Sequence, residues 1–124
     1  IQKFQIGIIN LHPGDIPKIR GLNSSLRAIK LNHPQFVTAH LIDKNIDLGK
    51  IILKKAVETR STDTIFDINE NLYQAQIEIL VESICNAKEN NFITSTSNDS
   101  NYNGSIPFVN YSDFEISLKS YLKK

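Results

Sequence analysis

The chain lacks methionine and tryptophan and has a single cysteine, Cys85. One cysteine excludes an intrachain disulfide and a zinc site built from several cysteines, and it is compatible with a reducing compartment, so we expect a cytoplasmic protein. No apolar run approaches the ~20 residues of a membrane-spanning helix, so we expect no membrane partner. Fourteen Lys and Arg against thirteen Asp and Glu leave a net charge of +1, which provides no broad basic surface for nucleic acid.

Several sequence motifs are also missing. There is no Gly-x-Gly-x-x-Gly dinucleotide motif, no phosphate-binding P-loop and no Gly-x-Ser-x-Gly nucleophile motif. The chain has 124 residues, which suits a single domain. Because it opens without an initiator Met and runs at once into an apolar segment, we expect that it is part of a longer fold.

The order of predicted elements is strand, loop, helix, strand, strand and long helix, which is an α/β pattern with too few strands for a complete open sheet. Residues 6–9 form a continuous apolar run that predicts a strand of a parallel sheet, buried on both faces and with neighbours on both sides. Residues 36–42 and 51–57 are rich in β-branched residues and predict two further strands. A short helix is predicted over residues 23–31, with Asn23 as its N-cap.

The longest predicted helix follows the capping residues 61–64 and ends near residues 90–91. Its apolar positions recur every three or four residues, at Ile65, Ile68, Leu72, Ala75 and Ile79, and Phe66, Tyr73, Leu80 and Ile84 are expected to widen that stripe. Cys85 lies close to the stripe and is expected to be buried as a small apolar residue. Residues 95–110 are predicted to form a flexible polar loop, and residues 112–115 have the pattern that starts a last helix.

Two polar clusters occur where strands are expected to end. Asn10 and His12 share one face if the backbone stays extended, and Asp47 lies in a turn that can fold back toward His40 in the preceding strand. Each residue alone has a structural explanation, because Asn and Asp are common in turns and a strand histidine can be half-buried. Two histidines and one aspartate are weak grounds for a zinc site, so no metal is expected. His33 is assigned no role.

Two ordered blocks of sequence together resemble the folate-dependent formyltransferases. The first block has a glycine, two apolar residues, Asn-x-His, a short loop and then Pro-x-x-Arg-Gly, within residues 7–21. The second block is Thr-x-His-x-x-Asp at residues 38–43, followed by an Asp-x-Gly turn at residues 47–49 and an apolar strand. Residues 13–16 and 32–37 depart from the usual family pattern without changing the polar residues.

The resemblance implies an α/β, formyltransferase-type Rossmann-like fold, of which residues 1–124 would be the C-terminal part. It implies 10-formyltetrahydrofolate as co-substrate and Asn10, His12 and Asp47 as catalytic residues, with His40 and Asp43 on the folate side. Asn10 and a protonated His12 would stabilise the oxyanion that forms when an amine attacks the formyl carbon. Asp47 would raise the pKa of His12, orient its ring and assist proton transfer.

The resemblance favours an amino-sugar nucleotide as the amine substrate. Methionyl-tRNA formyltransferases usually have an apolar residue at the position of His40 and a basic RNA-binding domain, which argues against tRNA. Phosphoribosylglycinamide formyltransferase, formyltetrahydrofolate deformylase (in which water replaces the amine) and a catalytically silent domain stay open as alternatives. We further expect a possible homodimer, and an N-terminal half of the fold packed on residues 6–9.

Overall fold

Three strands and three helices make up the part of the chain that the computed structural model describes, residues 5–44, 47–93, 104 and 111–123. The predicted flexible loop at residues 95–110 lies outside these ranges except for Gly104. In chain order the elements are β1 (Ile9–His12), α1 (Ser24–Lys30), β2 (Gln35–Leu41), β3 (Ile51–Val57), α2 (Ile65–Lys88) and α3 (Tyr111–Tyr121).

The strands form one antiparallel sheet in the order β1-β2-β3, with β2 in the centre. In the β1–β2 register, Ile9 lies opposite Leu41, and His12 lies opposite Thr38. The β2–β3 pairing has an irregularity between Ala39 and His40. Because β2 is paired on both sides, its residues from Val37 to His40 are all buried.

The first strand differs from its prediction. It covers Ile9–His12 rather than residues 6–9, because Gly7 has a positive φ of 104° that interrupts the extended backbone. The carbonyl of Ile8 extends the pairing by accepting from the Ile42 amide at 2.8 Å. Within the described residues β1 pairs with β2 alone and antiparallel to it, so neither the expected parallel sheet nor the expected central position is seen. Packing of another segment on this edge stays a prediction.

Helix α2 begins with a reciprocal capping box. The Thr64 hydroxyl accepts from the Asp67 amide, and the Asp67 carboxylate accepts from the Thr64 amide. Its buried face packs on the sheet and consists of Ile68, Leu72, Ala75, Ile79, Ser83 and Ala87. The predicted stripe is therefore correct in its centre.

The predicted widening of the α2 stripe is wrong. The four residues concerned are exposed, with Phe66 at 78% and Tyr73 at 57% as the largest fractions, followed by Leu80 and Ile84. Cys85 is exposed as well, contrary to expectation. An α-helix turns about 100° per residue, so Cys85 points away from the face that buries Ser83 and Ala87 on either side of it.

The shorter helices differ in their starts. Asn23 occupies the predicted N-cap position of α1, and its carbonyl accepts from the Arg27 amide at 3.0 Å. It has a left-handed conformation (φ 56°), however, and its side chain makes no capping hydrogen bond. Helix α3 already begins at Tyr111, one residue before the predicted capping position. It ends at the buried Tyr121, whose hydroxyl donates to the His33 carbonyl at 3.0 Å. Of the helices in the described ranges, none combines the length and apolarity that spanning a membrane requires.

Candidate active site

The sheet register brings Asn10 and His40 together. They are directly opposite each other on β1 and β2, so their side chains share one face of the sheet. The side-chain nitrogen of Asn10 lies 3.1 Å from Nε2 of His40. Nδ1 of His40 lies 3.1 Å from the Leu41 carbonyl, which can only accept, so Nδ1 carries the hydrogen. In the neutral ring Nε2 is then the acceptor, and one amide hydrogen of Asn10 donates to it.

His12 lies two residues farther along β1, on the same face as Asn10. Its ring is nearly perpendicular to that of His40, with 6.5 Å between the ring centroids. Both imidazoles are buried, with 6% of His12 and 2% of His40 exposed. The two strands therefore bring two imidazoles and one amide to a single site.

Asp47 supplies a carboxylate to this site from the connection between β2 and β3. Its Oδ2 lies 3.8 Å from Nδ1 of His12, and its Oδ1 lies 3.7 Å from Nε2 of His40. These distances allow ion pairing but exceed a hydrogen bond. The carboxylate is oriented by the Gly21 amide, which donates to Oδ2 at 2.9 Å. Asp47 has a positive φ of 53°, which aspartate tolerates better than most residues.

Burial lowers the pKa of His12 overall, even though Asp47 raises it as expected. Burial is the largest cause, because it disfavours the charged imidazolium, and the neighbouring His40 acts in the same direction. Asp47 and the hydrogen bond to the Ile19 carbonyl raise the pKa but do not outweigh burial. His12 is therefore mainly neutral at neutral pH.

The loop after His12 is packed tightly against the sheet. Thr38 on β2 donates to the Gly14 carbonyl at 2.6 Å and accepts from the Ile16 amide at 3.2 Å. Ile16 and Ile19 are each 1% exposed and anchor the loop in the core. A side chain at Gly14 would meet Nε2 of His12 at 2.7 Å and the Ile19 carbonyl at 2.8 Å. A glycine at this position thus lets the loop approach the imidazole.

A buried ion-pair network beside the site was missed by the sequence analysis. The Asp15 carboxylate, in the same loop, lies 2.7 Å from Nζ of Lys54 and 2.8 Å from Nε2 of His33. Burial alone would raise the pKa of Asp15, but the hydrogen bonds from Lys54 and His33 prevail and lower it. His33, which had been assigned no role, therefore helps to hold the loop. Asp15 stands between Gly14 and Ile16, and nothing in that local sequence identifies Lys54 and His33 as its partners.

Asp43, expected on the folate side, is exposed and lies two residues beyond the end of β2.

Ser24 is a further site residue that the sequence did not predict, since its hydroxyl oxygen lies 3.2 Å from Nε2 of His12. Among the residues that the structure describes, no group of three or more His, Cys, Asp or Glu side chains is arranged to hold a metal ion.

A formyl transferase family model matches residues 1–84, more than half of the chain. The chain therefore belongs to the formyl transferase family. Its Asn-x-His pair lies on β1, at one edge of the antiparallel sheet, and its aspartate lies in the connection between β2 and β3. The family resemblance of the two sequence blocks and the α/β, Rossmann-like fold class are confirmed.

Solved structures and a curated relative extend this finding. A sugar N-formyltransferase from a Shewanella species is 26% identical with a TM-score of 0.68, covering 92% of this chain and 51% of that one. An N-formyltransferase from Helicobacter canadensis, crystallised with folinic acid and dTDP-3-aminofucose, is 26% identical with a TM-score of 0.69, covering 90% and 45%. A phosphoribosylglycinamide formyltransferase from Dictyostelium discoideum is 32% identical over 87 residues, 66% of this chain and 42% of that protein. The chain thus spans about half the length of these proteins or less.

Proposed function

We propose that the protein containing this chain transfers a formyl group from 10-formyltetrahydrofolate to the amine of an amino-sugar nucleotide. The observation that carries the proposal is the convergence of the Asn10 amide, the His12 imidazole and the Asp47 carboxylate around His40. These groups combine a hydrogen-bond donor for a developing oxyanion with a base and a carboxylate that stabilises the charged base.

Asn10 is proposed to stabilise the oxyanion. When the amine nitrogen forms its bond to the formyl carbon, negative charge develops on the formyl oxygen. One amide hydrogen of Asn10 is used by His40, which holds the amide in place. The second amide hydrogen is then free to donate to the oxyanion, and a pre-oriented donor of this kind stabilises the transition state strongly.

His12 is proposed to move the proton. Its Nε2 lies 3.1 Å from the Ile19 carbonyl, which can only accept, so in the neutral ring Nε2 carries the hydrogen and Nδ1 is the basic atom. Nδ1 takes the proton of the attacking amine and passes it to the folate nitrogen as the bond from the formyl carbon to that nitrogen breaks. In between, the imidazolium faces the Asp47 carboxylate at 3.8 Å. The proposal therefore differs from the expectation that His12 is protonated before the reaction: here the neutral His12 acts first as a base.

His40 and Asp43 are proposed to lie on the folate side of the site. His40 is almost completely buried, so it acts through the Asn10 amide and Asp47 that it contacts. Asp43 is exposed two residues beyond the end of β2.

The amino-sugar assignment is supported by the likeness to sugar N-formyltransferases over nine-tenths of this chain. The purine enzyme is the second candidate, favoured by the 32% identical Dictyostelium relative. Incubation with 10-formyltetrahydrofolate and dTDP-3-aminofucose, glycinamide ribonucleotide or no amine separates the possibilities. We expect tetrahydrofolate release only with the amino sugar. Release with glycinamide ribonucleotide supports the purine enzyme, and amine-independent release supports a deformylase.

Variants complete this test. Asn10→Ala is expected to lose turnover, whereas Asn71→Ala, on the exposed side of α2, should keep it. Equal activity of the wild type and Asn10→Ala would contradict the proposed role of the amide. No release of tetrahydrofolate under any condition would contradict the proposed function.

A further inference from the structure

The hydroxyl of Ser24 completes the environment of His12. Ser24 is the first residue of α1 and is only 5% exposed. Its Oγ lies 3.2 Å from Nε2 of His12 and 3.1 Å from the Gly21 carbonyl. It is thus a buried polar side chain that contacts the ring nitrogen on the side away from Asp47.

The hydrogen-bond directions around Ser24 follow from what each group can donate. The Gly21 carbonyl can only accept, so the single hydroxyl hydrogen of Ser24 is donated to it. The Ser24 oxygen then presents a lone pair to Nε2 of His12. The Ile19 carbonyl presents another, at 3.1 Å. Two acceptors converge on one ring nitrogen, and both require that Nε2 carry a hydrogen.

We infer that Ser24 is a positioning residue that fixes the tautomer of His12. With Nε2 protonated in both the neutral and the charged ring, every gain or loss of a proton takes place at Nδ1. Nδ1 is the atom that faces Asp47 at 3.8 Å. Ser24 therefore keeps the basic nitrogen on the side of the carboxylate and the hydrogen-bonded nitrogen on the side of the loop.

The inference deepens the proposed function, on which its catalytic consequence rests. Loss of one neutral hydrogen bond shifts an equilibrium by roughly 3- to 10-fold. Ser24→Ala should therefore increase the ratio of Nδ1–H to Nε2–H tautomer by about that factor. Because the wrong tautomer has no lone pair at Nδ1, kcat should fall without a matching rise in KM.

The test is nitrogen NMR of protein labelled with ¹⁵N-histidine, recorded above the pKa of His12. The chain has only three histidines, so the spectrum is simple, and the His12 signals are those lost in His12→Ala. The wild type should show a protonated Nε2 and a bare Nδ1. Ser24→Ala should move both nitrogen shifts toward the other tautomer, and Ser24→Thr, which keeps a hydroxyl, should restore them. Ser25→Ala is the matched control, because the half-buried Ser25 accepts from the Gln35 side chain through its backbone carbonyl, which this substitution retains.

A wild-type His12 with its hydrogen on Nδ1 would overturn the inference without any variant. It would also be overturned if Ser24→Ala lowered kcat but left the nitrogen shifts unchanged, because Ser24 would then only support the fold. The NMR result does not depend on turnover. If Ser24→Ala shifts the tautomer while the wild type transfers no formyl group, the positioning of His12 stands and the proposed function fails.

Discussion

Replacing Gly14 with alanine should damage both stability and turnover. The added Cβ would lie 2.7 Å from Nε2 of His12 and 2.8 Å from the Ile19 carbonyl. It would therefore intrude on the 3.1 Å hydrogen bond between these two atoms. The loop cannot simply move away, because Thr38 holds the Gly14 carbonyl at 2.6 Å and Ile16 is buried.

The size of the Gly14→Ala effect follows from this geometry. Forcing an extra carbon into a packed site costs about 1–3 kcal/mol of unfolding free energy. If the imidazole yields by about 1 Å, the loss in turnover is on the order of 100-fold. Urea denaturation followed by circular dichroism measures the first effect, and the rate of tetrahydrofolate release measures the second.

Gly104→Ala is the matched control for Gly14→Ala. A Cβ at Gly104 meets no described atom within 4 Å, so this variant should resemble the wild type. A Gly14→Ala protein with unchanged unfolding free energy and unchanged turnover would contradict the tight packing of Gly14 against His12. A destabilised protein whose turnover is normal would show that the loop yields without moving His12.

Three further predictions concern the site and the fold. His12→Ala and Asp47→Ala should each lower kcat by about 100-fold or more. The loss of kcat in the double variant should be smaller than the product of the two single losses, because the Asp47 carboxylate acts through the His12 ring. Losses confined to KM would contradict this prediction. Asp15→Asn should lower the unfolding free energy by about 2 kcal/mol at neutral pH. Because the pKa of Asp15 is lowered in the folded protein, its carboxylate stabilises the fold at pH values above the ordinary pKa of 3.8, and this stabilisation is lost as the pH falls below it. The unfolding free energies of the wild type and Asp15→Asn, measured by urea denaturation, should therefore converge at low pH. Thr64→Ala should cost about 1 kcal/mol by removing the α2 cap, whereas the exposed Thr62→Ala should cost little.

Local patterns in the sequence were sufficient for β3 and for the buried face of α2. Strand β3 has the predicted bounds, and α2 begins right after its predicted capping segment. Both depend on signals carried by neighbouring residues, namely β-branched content, helical periodicity and a run of capping residues. The widened stripe failed because burial of Phe66 and Tyr73 requires a second packing partner, which periodicity cannot reveal.

The site was only partly predictable for a similar reason. Asn10, His12, His40 and Asp47 lie in local motifs, and the antiparallel register of β1 and β2 places Asn10 opposite His40. Asp47 reaches the two histidines from the connection between β2 and β3, which that register does not determine. The lowered pKa of His12 arises from burial by many residues distant in sequence, which no motif encodes. The contact of Ser24 with His12 depends on how the loop folds between them.

Formyl transfer to an amino-sugar nucleotide is detected directly as formation of the formamide product. The protein is incubated with dTDP-3-aminofucose and 10-formyltetrahydrofolate labelled with ¹³C in the formyl group, and the sugar nucleotide is analysed by mass spectrometry. We expect a product that carries one labelled formyl group, formed by the wild type and formed about 100-fold more slowly or less by the His12→Ala variant. A sugar nucleotide that stays unmodified with the wild type, or that His12→Ala modifies at the same rate, would contradict the proposed function.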